Sequence, residues 1–206
     1  MHQIRLEMRK FSSLRELNGI PARTMETLNE SYKNNVHKAT EIFDKLARTD
    51  HGLADPIYSE LRSLKLGLPV ALGAVKSYEI FFGLLGGKGG RPTSMVEEAL
   101  RRDFGSYEQF VADLKATAIA SRGWVALVLD LNQKRLLNVL GDTSVDLAIW
   151  NWQPILVIEV SERTIGADFN RDRTLYIDAV LKNLDWNMVE SNLEGAMSIH
   201  PAGTPA

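Results

Sequence analysis

The residues with the clearest chemical potential lie in one window, Trp150–Thr164, which reads WNWQPILVIEVSERT. A proline and an apolar run lead into Glu159, and Glu162 and Arg163 follow. A glutamate in an apolar pocket can have a raised pKa suited to general acid or base catalysis. An arginine cannot bind a divalent cation, because its guanidinium has no free lone pair and stays protonated. The window therefore favours acid–base chemistry or charge pairing over metal chemistry.

Other reactive side chains give little support for a catalytic site. The chain has no cysteine, which excludes disulfides, thiolate metal sites and cysteine nucleophiles. A metal centre needs two or three neutral or anionic donors around one point. The histidines lie in terminal segments, in a turn and on the predicted exposed face of a helix: His2, His37, His51 and His200. None is placed to converge with Glu159 or to activate a serine for hydrolysis.

The composition indicates a folded protein of moderate size. The 206 residues are 45% hydrophobic and 24% charged, enough for one domain or two small lobes with a proper core. The formal net charge of −2 argues against generic binding to nucleic acid or anionic membranes. No apolar run reaches the roughly 18 residues that span a bilayer, and the N-terminus does not resemble a secretory signal. We expect a soluble, cytoplasmic protein.

Apolar residues at gaps of three and four predict two long helices in the first half of the chain. One runs from Pro21 to about Thr49 and the other from Leu68 to Leu85. The glycine run Gly86–Gly90 should end the second helix and begin a hinge. A phosphate-binding loop is disfavoured here, because the run lacks the required lysine spacing and follows a helix. Residues 1–90 are thus predicted to form a helical hairpin lobe.

The second half of the chain predicts mixed secondary structure. Helices should begin at Thr93 and Tyr107, and two more should follow late in the chain, over Arg171–Leu184 and Asp185–Leu193. Three runs have strand composition: Trp124–Leu131, Arg135–Leu140 and Pro154–Val160. Residues 91–197 are predicted to form an α+β lobe with a three-stranded antiparallel sheet. Residues 198–206 are rich in Pro, Gly and Ala, and we expect a disordered tail.

An ordered set of motifs along nearly the whole chain resembles the iron/manganese superoxide dismutase family. The family pattern D-V-x-E-H reads E-V-S-E-R at residues 159–163. Further similar segments are GAVKSYEIFF (73–82), RGWVALV (122–128), GDTS (141–144) and NLDWNMVESNLE (183–194). The resemblance implies an α+β fold, in which an N-terminal long-helix hairpin lobe precedes an α+β lobe with a three-stranded antiparallel sheet.

The resemblance also assigns positions to the metal ligands, which in the family are three histidines and one aspartate. The segment TMETLNESYKNNVH, residues 24–37, places Leu28 at the first histidine. Tyr78 falls at the second histidine, Glu159 at the aspartate and Arg163 at the third histidine. All four ligands are therefore replaced, and we expect no metal.

Two further family residues surround the metal, and a third crosses the dimer interface. Val36 stands at the position of the substrate-gate tyrosine, and Ser144 stands near that of the outer-sphere glutamine, in a loop of different length. The family's interface glutamate is kept as Glu162. Beside Arg163 it would form a charge-assisted pair across a homodimer, the interpretation we favour. The alternative is that both charges are solvated.

Three hypotheses follow. The first is a dismutase-like protein without metal or activity, which acts as a dimeric structural or binding protein for an unknown protein partner. The second is a divergent iron/manganese superoxide dismutase that converts superoxide to dioxygen and hydrogen peroxide. The third is a new enzyme that uses Glu159 as an acid or base in the old cavity.

Overall fold

Two long helices form the first part of the structure, a computed structural model that describes Ile4, residues 6–166 and residues 168–203. Helix α1 spans Ala22–Leu46 and packs against helix α2, Glu60–Leu84. From Met25 onward the buried side chains of α1 recur every three or four residues, the spacing that the sequence predicts: Met25, Leu28, Tyr32, Val36, Ala39, Ile42 and Leu46, with Thr24 buried beside Met25. This stripe turns one face of α1 towards α2 and the core.

Helix α2 begins eight residues earlier than the predicted start at Leu68. The Ser59 side chain caps its first turn by accepting a hydrogen bond from the Arg62 N–H at 3.2 Å. Gly67 and Pro69 have low helix propensity, so the sequence pattern does not predict a helix that begins before them. Pro69 lies within the helix even though it cannot donate to the carbonyl one turn before it.

Three strands form the antiparallel sheet that the sequence predicts: β1, Trp124–Asp130; β2, Arg135–Gly141; and β3, Trp152–Glu159. Their order is β2-β1-β3, so β1 is central, and its first six residues are buried. Trp124 pairs with Gly141 on one side and Glu159 on the other. The register therefore holds Glu159 at the end of the sheet where β1 begins.

After α2, the described part of the chain has five more helices: α3, Ser94–Phe104; α4, Tyr107–Ala120; α5, Glu162–Ile165; α6, Arg173–Leu181; and α7, Trp186–Met197. Helices α3, α4 and α7 contact the sheet, while α5 packs against α1 and α6 packs against α4. The sequence did not predict α5, a single turn after β3. Helix α6 is shorter than predicted at both ends. The Asp172 side chain caps its start, and the Asn183 carbonyl beyond its end accepts N–H bonds from Gly86 and Gly87, both at 2.9 Å.

The glycine run ends α2 as predicted and lies tightly against the segment after α6. A Cβ atom on Gly87 would lie 2.3 Å from the carbonyl oxygen of Leu184, so only glycine allows this approach. One hydrophobic core extends from α1 and α2 across the sheet to α7. The division into lobes at residue 90 stays a prediction.

Beyond α7 the structure describes residues 198–203. Ala202 exchanges two hydrogen bonds of 3.0 Å with the side chain of Asn151, while residues 204–206 lie outside the described residues. Disorder of the tail stays a prediction. None of the helices in the described part is long and apolar enough to cross a membrane, and the cytoplasmic location stays a prediction.

Candidate functional site: a buried tyrosine and carboxylate cluster

The four residues at the predicted ligand positions come from four elements that meet in the core. Leu28 lies on α1, Tyr78 on α2, Glu159 at the end of β3 and Arg163 on α5. The Tyr78 ring lies 4.9 Å from that of Trp124, which pairs with Glu159 across the sheet, so Tyr78 and Glu159 lie near each other. Leu28 belongs to the same hydrophobic core as Tyr78 and contributes volume without a polar atom. Three of the four are buried, and Arg163 is exposed.

Glu159 is a buried carboxyl group with incomplete hydrogen bonding. It is only 4% exposed, and its Oε1 accepts a hydrogen bond from the Ser161 N–H at 3.3 Å. Its Oε2 is buried, and no group in the described part of the chain hydrogen-bonds to it. Burial raises the pKa of this carboxyl group above its ordinary value of 4.5, although side-chain hydrogen bonds from Ser161 and Thr164 and the charge of Arg163 oppose the shift. The neutral form is thus favoured more than in water.

Tyr78 fills the space beside Glu159 with an aromatic ring. The ring lies edge-on to Trp124, with centroids 4.9 Å apart, and stacks on Phe82 at 5.6 Å. Burial raises the pKa of its phenol above 10, and the Glu159 charge adds to this effect, whereas a hydrogen bond with the Ser31 side chain opposes it. The hydroxyl is therefore a neutral group at physiological pH and a poor metal ligand.

Tyr176 on α6 is the functional-site residue that sequence reasoning missed. It is fully buried, and its hydroxyl has no hydrogen-bond partner among the described residues. Burial raises its pKa well above 10, and the charges of Glu159 and Tyr78 raise it further. The sequence carried no signal for this role, because Tyr176 is one apolar-face residue of a predicted helix. Tyr78, Glu159 and Tyr176 are called the tyrosine–carboxylate cluster below.

Glu162 and Arg163 lie outside the cluster, on the exposed face of α5. Glu162 Oε1 is 3.7 Å from Arg171 Nε, and both side chains are about three-quarters exposed. No ion pair joins Glu162 to Arg163 within the described part of the chain. Both residues, with Arg171, line a shallow surface hollow. Their pairing across a dimer stays a prediction.

Neither of the two predicted outer-sphere positions supplies a polar group to the cluster. Val36 is buried on α1 at 2% exposure. Ser144 opens a short 3₁₀ turn, and its hydroxyl donates to the Val70 carbonyl at 3.0 Å. It lies against Gly73, where a Cβ atom would come within 3.0 Å of its Oγ. Its hydroxyl thus fixes this turn on α2 rather than binding the cluster.

The side chains present do not fit an iron or manganese ion. Leu28 has no donor atom, Arg163 has no lone pair, and burial disfavours the phenolate form of Tyr78, so Glu159 is the one carboxylate among the four. His37, His51 and His200 are exposed, and His2 lies outside the described residues. Among the residues that the structure describes, no group of three or more His, Cys, Asp or Glu side chains could hold a metal ion.

Known proteins with similar sequences point to one family. Residues 92–192 match the family model of the iron/manganese superoxide dismutases, C-terminal domain. The chain is 35% identical over 176 residues to the protein named superoxide dismutase [Fe] of Aquifex aeolicus (strain VF5), covering 83% of this chain and 82% of that protein. It is 33% identical over 204 residues to that of Aquifex pyrophilus, covering 96% and 95%. The second alignment includes the helical hairpin as well as the sheet.

Proposed function

The chain belongs to the iron/manganese superoxide dismutase family, and we propose that it is a member without metal binding or dismutase activity. We propose that it acts instead as a dimeric structural or binding protein. One observation carries this proposal: the three positions that the resemblance assigns to histidine ligands hold Leu28, Tyr78 and Arg163. None of these side chains supplies a neutral nitrogen lone pair.

The packing around these positions supports the proposal. Leu28 and the Tyr78 ring occupy core volume, and the Tyr78 ring contacts Trp124 and Phe82. Glu159 is the one remaining anionic candidate, and burial favours its neutral form. A cation here would have to displace packed side chains and bind through a single carboxylate, which is too few donors for a stable centre.

The dimer is proposed from the charges on α5. Glu162 and Arg163 are exposed in the single chain, where each could reach a second copy. In a twofold dimer each subunit would supply both charges to the other. A carboxylate–guanidinium pair would then replace the family's contact between glutamate and ligand histidine. The protein partner of such a dimer is a separate question, and the net charge of −2 disfavours nucleic acid.

The second candidate is a divergent dismutase that converts superoxide to dioxygen and hydrogen peroxide with iron or manganese. The observation in its favour is the 35% identity to a protein named superoxide dismutase [Fe]. It requires ligands other than the four assigned residues. The third candidate, acid–base catalysis by Glu159, requires substrate access to a side chain that is 4% exposed.

Metal analysis of the purified full-length chain separates the first two candidates. The protein is expressed in iron- or manganese-supplemented medium, beside a metal-loaded family dismutase as a positive control. We expect far less than one metal ion per chain and no dismutation above buffer. About one ion per chain, removable by a chelator together with activity, would establish the second candidate instead.

A further inference from the structure

A cavity of 530 Å³ lies at the other end of the sheet from the tyrosine–carboxylate cluster. Leu129 of β1 forms its floor and pairs with Gln153 of β3, whereas Trp124 and Glu159 pair at the opposite end. The apolar wall comes from α3 and α7: Met95, Ala99, Leu193 and Met197. This volume is within the range of small-molecule sites, about 300–1,000 Å³. Unbranched methionine side chains can adapt to a flexible apolar ligand.

The rim of this cavity carries an excess of positive charge. Arg101, Arg102 and Lys134 line it together with one acid, Glu98. Asp103 pairs with two arginines: Arg102, with Nη2 and Oδ2 2.6 Å apart, and Arg135, with Nε and Oδ1 2.7 Å apart. Arg102 also donates to the Lys134 carbonyl at 2.9 Å. In the described part of the chain, Arg101 and Lys134 form no ion pair. Two cations without carboxylate partners therefore border an apolar cavity.

The turn that carries Lys134 is fixed in place. Lys134 has a left-handed backbone conformation, with φ at 55°, between β1 and β2. The hydrogen bond from Arg102 ties its carbonyl to α3, and buried Asp103 accepts a further bond from the Leu136 N–H at 2.7 Å. The rim is thus a preformed part of the fold, which lowers the entropy cost of binding.

We propose that this cavity binds an amphipathic carboxylate of the fatty-acid type. The chain would lie among the methionine and leucine side chains, and the carboxylate would pair with Arg101 and Lys134. Both cations are suited to a carboxylate, and a neutral apolar ligand would leave them unused. The inference does not rest on the proposed function, because the cavity is separate from the assigned ligand positions. It could bind the same ligand whether or not the protein is an active dismutase.

Calorimetric titration of the full-length chain with dodecanoate, below its micelle concentration, tests the proposal. Dodecan-1-ol is the neutral probe of matched length. We expect dodecanoate to bind more tightly, and the double variant R101Q/K134Q to weaken its binding by about two- to fivefold for each lost charge, the range of exposed ion pairs. Dodecan-1-ol binding should not change. Lys182→Gln removes an exposed charge that does not line the cavity and should leave both affinities unchanged.

A second pair of variants tests the location. Ala99→Phe fills the cavity and should abolish binding of both probes, whereas Ala116→Phe, at an exposed position of α4, should not. Should Ala99→Phe fail to fold, Met197→Asp at the half-exposed wall should repel dodecanoate selectively. Absence of dodecanoate binding, equal affinity for both probes, or binding that none of the cavity variants alters would overturn the proposal.

Discussion

The Tyr176 hydroxyl and the Glu159 carboxyl group lie in one buried region, and each has an oxygen that no described residue hydrogen-bonds. These are the Tyr176 hydroxyl oxygen and Glu159 Oε2. Arg173 Nε, at the start of α6, donates to the Val160 carbonyl at 3.1 Å, which holds α6 beside the end of the strand that carries Glu159. Burial raises the pKa of the Tyr176 phenol, and the Glu159 charge adds to this effect. A buried polar atom left unpaired costs about 1–3 kcal/mol. The cluster is therefore a destabilising feature inside an otherwise apolar core.

Tyr176→Phe should stabilise the protein. The change removes a buried hydroxyl that no described residue hydrogen-bonds, and it keeps the ring, which lies edge-on to Phe169 at 5.0 Å. We expect the free energy of unfolding in urea to rise by up to about 1–3 kcal/mol. Tyr78→Phe is the matched control, because its hydroxyl bonds to the Ser31 side chain. That variant should lose about 0.5–1.5 kcal/mol. A loss of stability in Tyr176→Phe would show that its hydroxyl is paired.

Glu159→Gln should remove a pH-dependent loss of stability. Because burial raises the folded-state pKa above 4.5, the native state keeps this proton to a higher pH than the unfolded chain does. The protonated Glu159 side chain therefore contributes to the free energy of unfolding. This contribution is fully present below pH 4.5 and is lost as the pH rises through the folded-state pKa. The stability advantage of Glu159→Gln should therefore grow between pH 4 and pH 8.

Thermal unfolding at several pH values measures this difference. Glu26→Gln on the exposed face of α1 is the matched control, since Glu26 forms no ion pair among the described residues. Its melting temperature should follow the wild type at every pH. A constant offset between Glu159→Gln and the wild type would mean that Glu159 has an ordinary pKa in the folded protein.

The sequence predicts the fold well because the strongest patterns are local. The stripe on α1 and the alternation of strands and glycine-rich turns fix the elements, and the order of the motifs fixes their arrangement. The start of α2 was missed, because the Ser59 cap is followed by Gly67 and Pro69, which weaken the helical pattern. The spacing of apolar residues does not show that a helix cap can stabilise a helix that contains glycine and proline.

The tyrosine–carboxylate cluster was only partly predictable. Tyr78 and Glu159 were found by resemblance, but Tyr176 is distant in sequence and has no motif around it. Its position beside the cluster follows from the hydrogen bond that ties the start of α6 to the Val160 carbonyl just after β3, which only the three-dimensional structure reveals. The cavity was missed for the same reason, because Met95, Leu129 and Met197 come from three separate elements.

Arg163→His alone should not restore metal binding. The variant supplies one imidazole, whereas Leu28 and Tyr78 still supply none. The combined variant L28H/Y78H/E159D/R163H restores the full set that the resemblance assigns, and it should bind iron or manganese if the backbone still presents these four positions to one point. The metal content of the single variant and of the fourfold variant, each reconstituted with manganese, tests both expectations. Stoichiometric metal in the single variant would contradict the proposed loss of the site.

The last prediction concerns Glu162 and Arg163 in the proposed dimer. If the pair crosses the interface and is buried there, Arg163→Ala leaves a carboxylate unpaired and should weaken the dimer by roughly 3–5 kcal/mol. If both charges remain at a solvated rim, the loss should stay under about 1 kcal/mol and fade with added salt.

A double-mutant cycle on Glu162 and Arg163, measured through the dimer dissociation constant in sedimentation, distinguishes these cases. Arg171→Ala is the matched control, because Arg171 lies 3.7 Å from Glu162 within the same chain and both are exposed. We expect a coupling energy for Glu162 with Arg163 that clearly exceeds its coupling with Arg171. A monomer at micromolar concentration would refute the dimer. Equal couplings would show instead that Glu162 pairs within its own subunit and that α5 does not supply the contact between copies.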